Sequence, residues 1–240
     1  MANRPSTTEM YPGPGNRIRT DIKRPPRALI EAIAQFGSPD ISDQLNRLYA
    51  MRPDIQNAVN DQAICGPACT VKLYPGDNLM IHAALDVAQP GDVIVVDTSS
   101  CESNAVIGDL VAQKSIHRGF AGYVIDGYIR DLPMLQQLGL PIFARGITPV
   151  GPLHRGPGEL NFPVACGGVV VNPGDIVAAD HTGVVVVPLE FSEEVLRRLQ
   201  GQAENLAIYV ASVAAGDFSN SWVDQVIESI GCEKQLPEDS

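Results

Sequence analysis

The sequence has few aromatic residues, a deficit of basic residues and no long apolar run. Phe, Trp and Tyr make up only 5% of the 240 residues, which argues against extensive platforms for stacking nucleic-acid bases. The formal net charge of −11 argues against the basic stripe that binds nucleic acid or anionic lipid. No apolar run approaches the roughly 20 residues that span a bilayer. We therefore expect neither a nucleic-acid partner nor a membrane partner.

Cysteines are few and odd in number, and the N-terminus carries no apolar signal segment. Two cysteines have the spacing C-x3-C, but the second pair or histidine cluster of a zinc site does not accompany them. The opening segment "MANRPSTTEMYPGPGNR" lacks the apolar region of a signal peptide. We therefore expect a cytoplasmic protein with buried free thiols. The cysteines are Cys65, Cys69, Cys101, Cys166 and Cys232.

Apolar segments of strand and helix character alternate along the middle of the chain. The segments "DVIVVD" (92–97) and "AGYVID" (121–126) have the composition of buried strands. The segments "LMIHAALDVA" (79–88) and "LPMLQQLG" (132–139) have the apolar spacing of helices. Alternation with short connections is typical of an α/β domain, and it predicts a buried sheet that is at least partly parallel.

The two ends of the chain differ from this alternating core. Residues 1–26 are rich in Pro, Gly and charge, which favours an extended arm. We expect residues 1–62 to form an arm and helices that pack on a catalytic core of residues 63–190. Residues 191–240 begin with a long helical pattern interrupted at Gly201, which is suited to an oligomerisation arm.

The predicted strand at 121–126 leads into an arginine and an aspartate. Arg130 offers a rigid fork of donors that suits a carboxylate. Asp131 offers a hard oxygen ligand for Mg²⁺ or Mn²⁺, which commonly take only one or two protein carboxylates. At a bend into the next helix both side chains can face one cleft. Taken alone, such a dipeptide is more often a solvent-exposed ion pair or a helix cap.

A second motif lies in "TSSCESNAVIGDLVAQ" (98–113), which leads from a predicted strand into a helix. Gly108 allows a ligand to approach the backbone, and the free N–H groups of a helix start bind carboxylates or phosphates. Asp109 would repel such an anion unless it faces a metal or a bound water. Because open α/β sheets bind ligands at the carboxyl ends of strands, we expect Gly108-Asp109 and Arg130-Asp131 to form opposite walls of one pocket.

The chain resembles the RraA-like family in two long segments, "GDLVAQKSIHRGFAGYVIDGYIRDLPMLQQLGLPIFARGITPVGP" and "GPGELNFPVACGGVVVNPGDIVAADHTGVVVVP". That family includes class II pyruvate aldolases that act on 4-hydroxy-4-methyl-2-oxoglutarate and 4-carboxy-4-hydroxy-2-oxoadipate. The resemblance covers residues 63–190 and implies an α/β/β/α sandwich of the swivelling-domain type, assembled as trimers or hexamers. Other members with this fold bind and inhibit the endoribonuclease RNase E, so a non-catalytic regulator is the alternative function.

The resemblance also implies roles for individual residues. Arg130 matches the arginine that binds substrate oxygens, and Asp131 matches the direct ligand of the Mg²⁺ or Mn²⁺ cofactor. Asp109 matches an acidic residue that holds the metal through water. The backbone amides that hold the pyruvyl carboxylate belong to a segment matched by Gly108, Asp109, Leu110 and Val111.

Two positions depart from the family pattern. Met134 stands where an acidic residue is usual, three residues after Asp131. Aldolase members also borrow a glutamate from a neighbouring subunit's C-terminal helix. Glu204 is the nearest candidate here, although the expected position is closer to Leu206.

The resemblance implies a homo-oligomeric enzyme that acts on a small 2-oxo acid. It would cleave a 4-hydroxy-2-oxo acid to pyruvate and a second oxo acid through a metal-stabilised enolate, with oxaloacetate decarboxylation as a side activity. A water beside Asp109 is the expected proton acceptor. Of the remaining polar residues, His82 is expected to pack within its helix, and Asn78 to cap that helix or line the pocket. His154, in a Gly/Pro-rich loop, is a weaker candidate for contact with the distal substrate carboxylate.

Overall fold

The computed structural model describes residues 9–233, apart from the side chains of Glu204 and Asn205. Glu204, the candidate for a borrowed ligand, therefore lies outside the described residues. The chain divides into one unit that ends at Leu199 and a second that begins at Gln200. None of the described helices has the length and apolar character needed to cross a membrane.

The main sheet of the first unit has a parallel centre formed by four consecutive neighbours, β3, β4, β6 and β7. The strands β1, β8 and β2 complete its edges, and β5 pairs with the end of β6. The bounds are β1 (Asn16–Ile18), β2 (Gln56–Asn57), β3 (Ile64–Leu73), β4 (Val93–Asp97), β5 (Ala105–Ile107), β6 (Gly122–Ile129), β7 (Ile142–Ile147) and β8 (Gly158–Leu160).

Four further strands form a second β layer. β9 pairs antiparallel with β10, and β11 pairs antiparallel with both β12 and the first half of β3. β3 therefore belongs to both layers, since its second half pairs with β4. The bounds are β9 (Val164–Cys166), β10 (Val169–Val171), β11 (Ile176–Asp180) and β12 (Gly183–Val187).

Helices cover the outer faces of the two β layers in the first unit. These helices are α1 (Arg27–Ile33), α2 (Ser38–Gln44), α3 (Leu79–Val87), α4 (Asp109–Arg118) and α5 (Leu132–Leu138). The helix α6 (Ser192–Ala214) begins in the first unit, and α7 (Ser221–Ser229) lies in the second. The sequence predicts an interruption at Gly201, but α6 continues through it, because a single glycine weakens a helix by only about 1 kcal/mol.

Three apolar clusters establish the order of the layers. Successive residues of β4 point to opposite faces, as the twofold period of a strand requires. Ile94 and Val96 join the cluster under α3, α4 and α5, whereas Val93 and Val95 join the cluster between the two β layers. A third cluster packs α1, α2 and the start of α6 on β11 and β12. The order is therefore α/β/β/α, as the resemblance implies.

Candidate active site

A cleft of about 450 Å³ opens where β3, β5 and β6 leave the sheet. These parallel strands end at the same edge, where the first turns of α3 and α4 begin. The lining combines apolar side chains with cationic and amide side chains. The lining residues are Asn78, His82, Val106, Ile107, Gly108, Asp109, Leu110, Val111, Lys114, Arg130, Pro152 and His154.

The junction between β6 and α5 brings Arg130 and Asp131 to the edge of this cleft. The Arg130 amide donates to the Ile107 carbonyl at 3.1 Å, which fixes the end of β6 beside β5. Asp131 then adopts a left-handed conformation, with φ 60° and ψ 36°, directly before α5. Such a conformation is uncommon outside glycine and costs roughly 1–3 kcal/mol, so the surrounding structure must enforce it. The turn redirects the chain without separating the two side chains.

The Arg130 and Asp131 side chains form a partly exposed ion pair. The Arg130 Nε lies 3.3 Å from the Asp131 Oδ2, and the side chains are 43% and 38% exposed. An exposed pair of this kind contributes only about 0–1 kcal/mol to stability. The strained turn is therefore not explained by the stability of this ion pair, which is consistent with a role in ligand binding.

Gly108 provides the space that these two side chains occupy. Its φ of −144° is open to any residue, so backbone strain does not require glycine here. A Cβ at Gly108 would instead overlap the Asp131 Oδ2 and lie 3.1 Å from the Arg130 Cγ. Gly151 leaves space for the Arg130 side chain in the same way, because a Cβ added at Gly151 would lie 2.5 Å from the Arg130 Nη1.

The start of α4 forms the floor of the cleft. Gly108 precedes the helix, and its carbonyl accepts the Ala112 amide at 3.1 Å. The first amides of a helix have no intrahelical acceptor and carry the positive end of the helix dipole. The Asp109 Oδ1 accepts the Leu110 amide at 2.8 Å. The Asp109 carboxylate is therefore turned towards its own helix start.

A hydrogen-bonded pair, Asn78 and His154, also lines the cleft. The Asn78 Nδ2 donates to the Val106 carbonyl at 2.8 Å, and its Oδ1 lies 2.6 Å from the His154 Nδ1. The His82 ring meets the His154 ring edge-on, with 5.4 Å between the ring centroids. Asn78 is only 2% exposed, so this contact holds the exposed His154 ring against a buried side chain.

The cleft gathers basic side chains although the chain is strongly acidic. Lys114, Arg130 and two histidines line it with the Asp109 carboxylate, and the Asp131 carboxylate lies against Arg130. Burial lowers the pKa of His82, and the neighbouring His154 and Lys114 lower it further, against a smaller opposite effect of Asp77. The sequence reasoning missed Lys114. Its position one helical turn after Leu110 was the available signal, since such residues share a helix face.

A divalent metal site at Asp131 is compatible with the residues present. Within the part of the chain that the structure describes, no group of three or more His, Cys, Asp or Glu side chains is gathered for a metal. Mg²⁺ commonly takes one or two protein carboxylates and completes its shell with water and substrate oxygens. The half-exposed Asp131 carboxylate, in the space left by Gly108, meets that requirement. Met134 follows it in α5, is 45% exposed and adds no ligand.

A larger recess of about 780 Å³ lies elsewhere, between residues 23–29 and the start of α6. Two of its charged groups are held by partners. Arg24 makes a two-pronged ion pair with the fully buried Asp92, which fastens the N-terminal segment to the core. The Asp175 carboxylate accepts the Asn172 and Leu189 amides. The 450 Å³ cleft, which gathers two histidines, a lysine and an arginine, is the better candidate for chemistry.

Comparison with known proteins gives consistent matches. A family described as RraA-like, Aldolase/RraA, matches residues 38–186. A Halalkalibacterium halodurans protein named "Putative 4-hydroxy-4-methyl-2-oxoglutarate aldolase" is 39% identical over 175 residues, which are 72% of this chain and 83% of that protein. A protein of the same name from Azotobacter vinelandii is 33% identical over 155 residues, covering 64% of this chain and 95% of that protein.

A solved structure agrees with these sequence matches. Streptomyces coelicolor RraAS2, described as an unusual member of the RNase ES inhibitor RraA protein family, superposes with a TM-score of 0.69 at 30% identity. The match covers 78% of this chain and 98% of that one. The chain therefore belongs to the RraA-like family, the family of Aldolase/RraA proteins.

Proposed function

We propose that this protein is a divalent-metal-dependent aldolase, which cleaves a 4-hydroxy-2-oxo acid to pyruvate and a second oxo acid. The observation that carries the proposal is the placement of Arg130 and Asp131 together beside Gly108 and the start of α4. The aldolase names of the relatives support it.

The residues of the cleft suit the reaction in separate ways. The amides at the start of α4 provide a site for the substrate's 1-carboxylate, since a helix N-terminus favours an anion. The fork of Arg130 suits the 2-oxo oxygen, where negative charge develops as the C3–C4 bond breaks. Preorganised donors at a developing oxyanion are usually the largest single contribution to catalysis.

The Mg²⁺ or Mn²⁺ would be held directly by Asp131 and through water by Asp109. When bound, such an ion supplies Lewis-acid polarisation of the 2-oxo group. Gly108 keeps the space for the Asp131 carboxylate open, and Leu110 and Val111 border the substrate from the first turn of α4. Oxaloacetate loses its 4-carboxylate through the same enolate of pyruvate, so decarboxylation of oxaloacetate is the expected side activity.

One screen tests this proposal. Pyruvate release is measured with 4-hydroxy-4-methyl-2-oxoglutarate, 4-carboxy-4-hydroxy-2-oxoadipate and oxaloacetate, each with Mg²⁺, with Mn²⁺ and with a chelator. We expect at least one 4-hydroxy acid to be cleaved, and we expect the chelator to stop the reaction. Pyruvate release that persists in the chelator would contradict metal dependence, and release from none of the 4-hydroxy acids would contradict the aldolase.

The second unit supports the proposal of a homo-oligomer. Helices α6 and α7 expose large apolar side chains, and a concentration of such side chains is typical of an interaction surface. We expect light scattering at micromolar concentration to find trimers or hexamers, and a monomer would contradict this. The exposed side chains are Leu206, Ile208, Tyr209, Val210, Val213, Trp222, Val226 and Ile230.

A non-catalytic regulator is the second candidate, because the Streptomyces coelicolor neighbour is described as a member of a ribonuclease inhibitor family. The two functions separate in one comparison. An enzyme releases pyruvate and leaves ribonuclease activity unchanged, whereas a regulator inhibits an RNase E-type nuclease and releases no pyruvate. The aldolase names of the relatives favour the enzyme.

A further inference from the structure

We infer that His154 is the base that removes the proton from the substrate's 4-hydroxyl group. The inference rests on the proposed aldolase function and adds the residue that the reaction still needs. Retro-aldol cleavage requires an acceptor for this proton, and His154 lines the cleft together with the first turn of α4. The case rests on the hydrogen bonds of one amide and on the place of the His154 ring in the cleft.

Asn78 determines which nitrogen of His154 carries the hydrogen. The Val106 carbonyl can only accept a hydrogen bond, so the group of Asn78 that lies 2.8 Å from it must be the amide Nδ2. The Oδ1 of Asn78 therefore faces His154, and an amide oxygen can only accept. The His154 Nδ1, 2.6 Å away, is consequently the donor. In the neutral ring the lone pair must then lie on Nε2, which is the form that a general base requires.

The surroundings keep this arrangement in place. Asn78 is buried at the start of α3, so its amide cannot turn without losing the bond to Val106. The Asp77 carboxylate accepts the amides of Arg155 and Gly156 at 2.7 and 2.8 Å, which anchors the loop that carries His154. The charged and titratable side chains around the ring are Asp77, His82, Asp109, Lys114, Arg130 and Arg155.

His154 shares the cleft with Lys114 and Arg130. The Asp109 Oδ1 accepts the Leu110 amide at 2.8 Å, which leaves the other carboxylate oxygen for the water that would hold the metal. His154 is exposed within the cleft, so its Nε2 is accessible to a substrate.

The step balances without any further reactant. The 4-hydroxyl proton moves to the His154 Nε2, and the electron pair of the O–H bond forms the new C4=O bond. The pair of the C3–C4 bond moves into the enolate of pyruvate, whose oxygen faces Arg130. Water then protonates C3 to give pyruvate, and the hydroxide that this leaves takes the proton from Nε2, which restores the neutral ring.

Oxaloacetate provides the discriminating experiment, because its decarboxylation has no hydroxyl proton to remove. His154→Asn keeps an amide N–H in the position of Nδ1, so the bond to Asn78 survives while the basic nitrogen is lost. General bases contribute roughly 10²–10⁴-fold to a rate, so we expect kcat for 4-hydroxy-4-methyl-2-oxoglutarate to fall by at least about 100-fold. Oxaloacetate decarboxylation should stay within about threefold of the wild type, a change below 1 kcal/mol in barrier.

Rescue by imidazole separates a base from a structural residue. Added imidazole should restore part of the aldol cleavage in His154→Ala and leave its decarboxylation unchanged. His117→Asn, an exposed residue near the end of α4 outside the cleft, is the matched control and should keep both activities. Equal losses of both activities in His154→Asn, unchanged aldol cleavage, or no rescue by imidazole would overturn the role of His154. A wild-type protein without aldol cleavage would overturn the proposed function as well.

Discussion

Adding a single methyl group at Gly108 tests whether the positions of Arg130 and Asp131 matter for catalysis. In Gly108→Ala the new Cβ would overlap the Asp131 Oδ2 and lie 3.1 Å from the Arg130 Cγ and 3.2 Å from its Nε. The backbone conformation at Gly108 is allowed for alanine, because its φ is −144°. The substitution therefore acts on the positions of the two side chains and leaves the local backbone conformation available.

The size of the effect follows from the displacement. The Asp131 carboxylate must move by about 1 Å to regain ordinary contact distance, and a misplacement of that size can cost about 100-fold in rate. We therefore expect kcat/KM to fall about 100-fold, which corresponds to about 2.7 kcal/mol of transition-state stabilisation. Both side chains are partly exposed and can move towards solvent, so the free energy of unfolding should change by less than about 1 kcal/mol.

Pyruvate release measures kcat/KM, and urea unfolding measures the free energy of unfolding. Gly37→Ala is the matched control, because its Cβ would meet its nearest neighbour at 3.4 Å and its φ is −69°. The control should retain wild-type kcat/KM. A Gly108→Ala protein with wild-type kcat/KM and wild-type Mg²⁺ affinity would refute the reasoning, since the crowded side chains would then have no part in turnover.

The remaining predictions concern the two members of the ion pair and one buried carboxylate. Arg130→Lys keeps the charge but loses the planar fork, so kcat/KM should fall at least about 10-fold. Calorimetry should still find normal Mg²⁺ binding. Full activity of this variant would indicate a simple surface ion pair. In Asp131→Asn the asparagine can adopt the left-handed backbone conformation, but the anionic ligand is removed. Mg²⁺ binding and metal-dependent turnover should both be lost. Unchanged Mg²⁺ binding would exclude Asp131 as the ligand. Burial raises the pKa of Glu159, but the Gly15 amide and the Arg17 guanidinium outweigh it and hold that pKa below the ordinary 4.5. Its stabilising contribution is present above pH 4.5 and is lost as the pH falls through the folded-state pKa, so urea melts of Glu159→Gln should show a weaker pH dependence in the acid range than the wild type.

Local patterns in the sequence were sufficient to predict much of the fold. The strand β4 and the helices α3 and α5 lie within about two residues of the segments predicted from apolar periodicity. That agreement arises because the periods of two and 3.6 residues are properties of the chain itself. Elements without such a pattern were missed, including the three-residue strand β5 and the helix α7. β5 is defined by its pairing with β6, a contact that no local pattern encodes.

Part of the candidate site could likewise be predicted from the sequence, and part depends on the tertiary structure. Composition and strand order were enough to predict that Gly108-Asp109 and Arg130-Asp131 lie at one edge of the sheet, because parallel strands end together. Only the tertiary structure decided how they meet: the left-handed turn at Asp131 and the missing Cβ of Gly108 depend on distances across the sheet. The proton position on His154 is a stronger example, since it follows from a contact between residues 76 positions apart. A sequence determines which groups are available, whereas the packing of distant segments determines which atoms of those groups face each other.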